Sequence, residues 1–354
     1  MEVDPFYRNL PKIELHAHIN GSISTETIDE LLAKNQQEGK QQLDITALQR
    51  WKAGLEKGES MTFDGCFDMF RLIHQLVDNC EAVAIVTRNV IREFAEDGVR
   101  YLELRSTPRD VPETGMTKRS YVESVLSAIH ESKDAGLDII VRFMIAIDRG
   151  RDLKTAQETV KLAKEFYASS GGVVVGLDLS GDPNKNDVRD YIPFLKEARE
   201  SGLKLAIHTA EIPNVTESLA LVQLPPDRIG HGTFLQPGDG GSQEIVNTVI
   251  KYKTPLELCL SSNIIGQTVT SFDNHHFKFW YDGGHPCVIC TDDKGIFATS
   301  LSQEYQITAS TFNLTRDQVW ELSLKSIEAI FADDVMKDKL RNLWANEKSK
   351  LEFT

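Results

Sequence analysis

The stretch Lys12-Ile13-Glu14-Leu15-His16-Ala17-His18 decides how the rest of the chain is read. A short strand-like run stops abruptly at two histidines, and seven more short runs stop in the same way. They are Arg100–Leu104 before Arg105, Ile139–Ile147 before Asp148, Val173–Leu179 before Ser180, Leu203–Ile207 before His208, the brief Arg228–Gly230 before His231, Pro255–Leu260 before Ser261, and Cys287–Cys290 before Thr291. Most are near-continuously apolar rather than alternating, as expected of parallel strands covered on both faces. Helical spacing fills the gaps, at Ser120–Ser132, Leu153–Ala168, Asp187–Ser201 and Gln243–Tyr252. Strand and helix alternating eight times predict an α/β fold, a (β/α)8 TIM barrel, as one domain over residues 1–354. That length suits a barrel, which typically runs ~250 residues and grows by insertion.

One connection is too long for a simple crossover. Residues 20–98 hold at least three helical segments, including a polar one around Lys34–Gln42 and an apolar one, Phe63–Val77, with His74 near its end. Insertions at that end of a barrel sit over its mouth, so this segment reads as a helical lid. Leu301–Phe331 reads as amphipathic helices packed on the outside.

Composition bounds the function. Hydrophobic residues at 41% and charged residues at 26% describe a globular chain. A net charge of −14 argues against nucleic acid as a partner, while leaving room for a small phosphorylated ligand. No apolar run has signal-peptide length at the start, and none approaches the ~20 residues of a membrane span. Five cysteines at irregular spacing make no disulfide framework. The expectation is a soluble, reduced, cytoplasmic monomer with no membrane partner.

Barrel enzymes carry their chemistry where the loops after the strands converge. Reactive residues fall there: His16 and His18 after the first strand, His208 with Glu211 after the fifth, His231 after the sixth, Asp292-Asp293 after the eighth. Side chains at i and i+2 share a strand face, so His16 and His18 point together. His208 and Asp292 can close a set of three nitrogens and one oxygen, which suits one zinc ion per chain with a position left for water. A catalytic zinc lowers the pKa of its bound water to roughly 7. Glu211 then reads as general acid/base, His231 as the group that orients or deprotonates the attacking water, and Asp293 as a hydrogen-bond partner of the substrate ring. After the second strand, Ser106, Thr107 and Arg109, with Pro108 among them, offer hydroxyls and a guanidinium suited to phosphate oxygens. Three other signals are discounted. Cys287 and Cys290 face opposite sides of a strand, His275-His276 reads as lid or packing, and the Pro237–Gly241 turn lacks the Lys-Ser/Thr of a phosphate loop.

In combination, Leu15-His16-Ala17-His18, Asp178-Leu179-Ser180-Gly181-Asp182, His208-Thr209-Ala210-Glu211, Arg228-Ile229-Gly230-His231-Gly232, Ser261-Ser262-Asn263 and Cys290-Thr291-Asp292-Asp293 resemble the adenosine deaminase family over essentially the whole chain. The resemblance implies a mononuclear zinc on His16, His18, His208 and Asp292. It also implies that Glu211 protonates a purine ring nitrogen, that His231 and Asp293 flank hydroxide and ring, and that the Gly181 backbone contacts the base. Hydroxide attack at the six-position carbon then releases an amine.

Asn20 departs from the nucleoside-specific members, which usually carry an acidic residue two positions beyond the second histidine. A carboxylate there suits a ribose hydroxyl and repels a phosphate, and an amide removes the repulsion. Asn20, His74, Leu104-Arg105-Ser106-Thr107-Pro108-Arg109 and Asp273-Asn274-His275-His276-Phe277 together resemble the N6-methyl-AMP deaminase branch. That resemblance implies a small purine nucleotide as ligand and conversion of N6-methyl-AMP to IMP and methylamine, with His18, His74 and Asp148 also contacting the nucleotide. The competing expectations are deamination of unmodified AMP or adenosine, a binuclear amidohydrolase, for which the fourth strand supplies no bridging lysine, and a non-catalytic binding barrel.

Overall fold

Eight strands run parallel in sequence order, each bonded to the next: β1 (Lys12–His18), β2 (Val99–Ser106), β3 (Ile140–Asp148), β4 (Val174–Ser180), β5 (Lys204–Thr209), β6 (Arg228–His231), β7 (Leu256–Leu258) and β8 (Cys287–Ile289). This is a computed structural model, and it describes residues 2–40, 42–57 and 61–351. The ring closes just beyond β8, where Ala17 and Asp292 form a parallel bridge. There the Asp292 N–H donates to the His16 carbonyl at 2.8 Å and the His18 N–H to the Asp292 carbonyl at 3.0 Å. The result is the (β/α)8 barrel that the sequence predicts.

The helices Lys118–Asp134, Leu153–Ser169, Ile192–Glu200, Val215–Gln223 and Gln243–Tyr252 follow β2 to β6 in turn. Thr117, Asp152, Asn214 and Ser242 cap four of them by accepting a backbone N–H of the first turn. Among the described residues, the β1–β2 connection holds four helices, Thr25–Gln37, Thr46–Glu56, Phe63–Leu76 and Cys80–Glu96. The last buries Val83, Val86, Val90, Ile91 and Phe94 and packs on β2 and the Lys118–Asp134 helix. The polar segment expected at Lys34–Gln42 is instead the end of a helix that Ser24 caps at its start and that stops before Gly39, whose φ of 66° is left-handed; Gln41 lies outside the described residues. No described helix is long and apolar enough to cross a membrane.

The expectation of strands apolar on both faces fails for β1, β2, β4, β6 and β7. In β1 the residues Ile13, Leu15 and Ala17 share one face, while Lys12, Glu14, His16 and His18 share the other. The barrel interior is filled with buried charge. Arg105 donates to Glu257 Oε2 at 2.8 Å and to Asp178 Oδ1 at 3.3 Å. Arg228 donates to Glu257 Oε1, to Glu103 Oε2 at 2.6 Å and to the Ala329 carbonyl at 2.9 Å. Glu103 Oε1 also accepts from the Tyr101 hydroxyl at 2.9 Å and the Phe331 N–H at 2.7 Å. Two guanidinium groups and three carboxylates are thus fully desolvated, an arrangement that holds only because each charge is paired and further hydrogen-bonded.

Candidate functional site

Imidazoles from β1, β5 and β6 meet the Asp292 carboxylate at the C-terminal mouth of the barrel. His18 Nε2 lies 3.3 Å from His208 Nε2 and 3.3 Å from Asp292 Oδ1, and His16 Nε2 lies 3.3 Å from the same oxygen. His231 Nε2 stands 3.8 Å from Asp292 Oδ2 and 3.9 Å from Glu211 Oε2. Ligand-capable atoms cluster as two overlapping sets, His16, His208, His231 and Asp292 in one, and His18, Asp178 and His208 in the other.

The outer hydrogen bonds separate these groups by role. Glu257 Oε2 takes His16 Nδ1 at 2.7 Å, and Asp178 Oδ1 takes His208 Nδ1 at 2.9 Å. Both rings therefore turn their Nε2 atoms toward the shared centre, and Asp178 is already engaged by His208 and Arg105. Ser262 Oγ donates to Asp292 Oδ2 at 2.7 Å, which leaves Oδ1 facing the imidazoles. His16 Nε2 is buried with no hydrogen-bond partner among the described residues. A buried nitrogen left without a partner, facing other imidazoles and a carboxylate oxygen, is what a cation site requires. The donor set fits a metal ion.

Backbone geometry aims these side chains. His231 and Asp292 both have φ 61° and Ala210 has φ 55°, left-handed conformations at the strand ends where the chain turns over the mouth. Close approaches demand glycine nearby: a Cβ at Gly21 would stand 1.6 Å from Asp293 Oδ1, and one at Gly181 2.3 Å from Asp148 Oδ1. Burial lowers the His18 imidazole to about 3, against the pull of Asp292, and holds His231 well below its ordinary value, so both rings are neutral. Burial also raises the Glu211 carboxyl, with His208 opposing and Asp292 adding, and it holds Asp293 well above the usual aspartate range with Asp292 reinforcing.

The remaining residues singled out in the sequence gather to one side of this centre. Asn20 Oδ1 is buried without a partner, and the Asn20 side chain reaches the Tyr121 hydroxyl, which also bonds Ser106 Oγ at 2.6 Å. Thr107 is half-buried and Pro108 buried. Arg109 Nη2 is engaged by the carbonyls of His74 and Val77 at the end of the Phe63–Leu76 helix, and its Nε is buried without a partner. His74 lies within electrostatic reach of Arg109, Arg151 and Asp148, and Asp148 sits against Gly181.

The sequence reading assigned no role to Glu257, Asp178, Arg105 or Ser262, all of which hold ligand-capable side chains or each other. Their signal was present: a lone charge inside an otherwise apolar run, as in Pro255-Leu256-Glu257-Leu258, has no place on a strand covered by helices and must face a polar interior.

A family model described as adenosine deaminase matches residues 11–346. An N6-methyl-AMP deaminase of Danio rerio is 52% identical over 351 residues, covering 99% of this chain and 99% of the relative. That of Homo sapiens is 53% identical over 347 residues, covering 98% and 96%. A solved Arabidopsis structure complexed with IMP superposes with a TM-score of 0.86 at 34% identity, covering 99% of this chain and 100% of that one.

Proposed function

The chain belongs to the adenosine deaminase family, and from that premise we propose that it is a zinc-dependent aminohydrolase that turns N6-methyl-AMP and water into IMP and methylamine. The observation that carries this reading is the partnerless, buried Nε2 of His16, facing His18, His208 and Asp292 with Glu211 at the rim. His16, His18, His208 and Asp292 would hold a zinc ion, which would supply Lewis-acid activation of one water, with its pKa lowered to roughly 7. In the balanced reaction the water oxygen bonds the six-position carbon and the carbon–nitrogen bond breaks. Of the two water protons, one ends on the ring nitrogen N1 and one on the departing amine.

The chain's own residues manage those protons. Glu211, whose carboxyl burial pushes toward the protonated form, delivers a proton to the ring nitrogen. Asp293 Oδ1, buried without a protein partner, bonds the substrate ring. His231 lies beside both Glu211 and Asp292, where the attacking water is oriented. The Gly181 backbone and Asp148 take the base and sugar, together with His18 and His74. Asn20 replaces a repulsive carboxylate with an amide, and the Ser106–Arg109 loop meets the phosphate. The helices of residues 20–98 ahead of Cys80 act as a lid over the mouth.

Names of relatives support the substrate. The zebrafish and human proteins are called N6-methyl-AMP deaminases, and the Arabidopsis structure holds IMP, which is the product of this reaction. The test is product analysis with the zinc-loaded protein offered N6-methyl-AMP, AMP and adenosine separately. Stoichiometric methylamine and IMP, with AMP and adenosine poor substrates, is the expected result. Faster ammonia release from AMP or adenosine would replace this substrate with the unmodified base.

A further inference from the structure

The His275-His276 pair, which the sequence reads as lid or packing, is buried directly behind His231. Its two rings stack with centroids 4.2 Å apart. His276 Nε2 bonds the His231 carbonyl at 2.9 Å, and a carbonyl only accepts, so His276 carries its proton on Nε2. Its Nδ1 is correspondingly without a partner. This bond braces the residue whose φ of 61° turns the chain at the end of β6.

His275 fixes a longer chain of hydrogen bonds. The Phe277 backbone N–H donates to His275 Nδ1 at 3.0 Å, so that nitrogen is the acceptor of the ring. The other nitrogen of neutral His275 is therefore protonated, and it meets Asn263 Oδ1 at 2.9 Å. That bond settles the orientation of the Asn263 amide, which is otherwise ambiguous. Its Nδ2 end must face Thr268 Oγ1 at 3.2 Å, Thr233 Oγ1 at 3.4 Å and His231 Nδ1 at 3.4 Å. An amide NH2 group facing Nδ1 disfavours a second N–H there. With Nδ1 accepting, His231 carries its proton on Nε2, the nitrogen that faces Asp292 and Glu211.

We propose that His275 and Asn263 are positioning residues that lock His231 in its Nε2–H tautomer. The direction of every bond traces back to one backbone N–H at Phe277. The consequence rests on the reaction proposed above and decides between two roles for His231. On the side of the reacting centre a neutral Nε2–H has a proton to give to an oxygen and no lone pair to take one. His231 thus orients the attacking water by donating to it and does not deprotonate it.

Two measurements test this. In the zinc-loaded enzyme labelled with 15N-histidine, the His231 side-chain signals are assigned by their loss in His231→Gln. The expected spectrum has a directly bonded proton on Nε2 and an unprotonated Nδ1, and a proton on Nδ1 overturns the proposal whatever the enzyme's substrate. The second is kinetic. His275→Gln places a donor amide where Nε2 stands and keeps kcat within a few-fold, whereas His275→Leu lowers kcat about tenfold with KM nearly unchanged. Asn263→Asp, which accepts where the amide donates, moves the His231 proton to Nδ1 and lowers kcat further. Equal kinetics for the Gln and Leu variants would overturn the relay. Absence of deamination by the unsubstituted enzyme would instead defeat the proposed reaction and leave the spectroscopic test standing.

Discussion

At the scale of single residues, the site separates groups that hold from groups that react. Glu211 is bonded to none of the ligand-capable imidazoles, and His231 Nε2 stands 3.9 Å from its carboxylate. Glu211→Gln should therefore keep the metal while losing the proton donor, with kcat down about 10²–10⁴-fold and one zinc per chain still found by elemental analysis. Loss of the zinc, or turnover near that of the unsubstituted enzyme, would remove Glu211 from the proposed role. Gly21 tests Asp293 without substituting it. The added methyl of Gly21→Ala falls 1.6 Å from Asp293 Oδ1, so the carboxylate must move or the β1 loop must shift. A displacement of about 1 Å at a positioning group costs on the order of 10²-fold in rate. Thermal stability and zinc content should change far less than kcat/KM, and parallel losses in all three would mean the substitution acts on folding instead.

At the scale of elements, the strand ends were legible in the sequence because a parallel barrel requires each strand to stop where its loop begins. The eight runs and the four helical gaps were placed within a few residues, and even four-residue β6 was marked by His231 following Arg228–Gly230. What the runs concealed was direction. Arg105, Arg228 and Glu257 belong to strands whose inner face is polar, and their pairing crosses the barrel between residues as far apart as 152 positions. The relay from His275 through Asn263 was equally hidden, since nothing local ties His275 to the end of β6. The β1–β2 connection was recognised as helical, but its attachment was not. The sequence marks Arg109 as a guanidinium suited to phosphate oxygens, and its Nη2 also bonds the His74 and Val77 carbonyls that end the Phe63–Leu76 helix. A cation at a helix C-terminus satisfies exposed carbonyls and complements the dipole. Arg109→Ala should free that helix end, and two lost bonds of about 1 kcal/mol each amount to roughly a thirtyfold rise in KM for the nucleotide. Hydrogen exchange should quicken at residues 74–77 while β2 and β3 amides stay protected. Unchanged exchange at the helix end would show that the tether does not hold it.

At the scale of the whole molecule, the metal-facing side chains stand on a framework that owes nothing to the ion. His16 leans on Glu257, which is clamped by Arg105 and Arg228, and Arg228 in turn is held by Glu103 and the Ala329 carbonyl near the opposite end of the barrel. His208 leans on Asp178, which shares Arg105. Every one of these carboxylates and guanidinium groups is desolvated, so moving any of them strands a partner at a cost of about 3–5 kcal/mol. The framework therefore holds without the ion, so stripping the metal should leave the barrel closed. Chelation and dialysis are therefore expected to abolish deamination while near-UV circular dichroism stays that of a packed core. An ion present at a thousand times its Kd adds about 4 kcal/mol to folding, so Tm should fall by several degrees and recover, with activity, when zinc is returned. A chelated protein that loses its near-UV signal would mean that the ion organises the site rather than occupying it. Full turnover after verified removal would end the metal-dependent reading of the site.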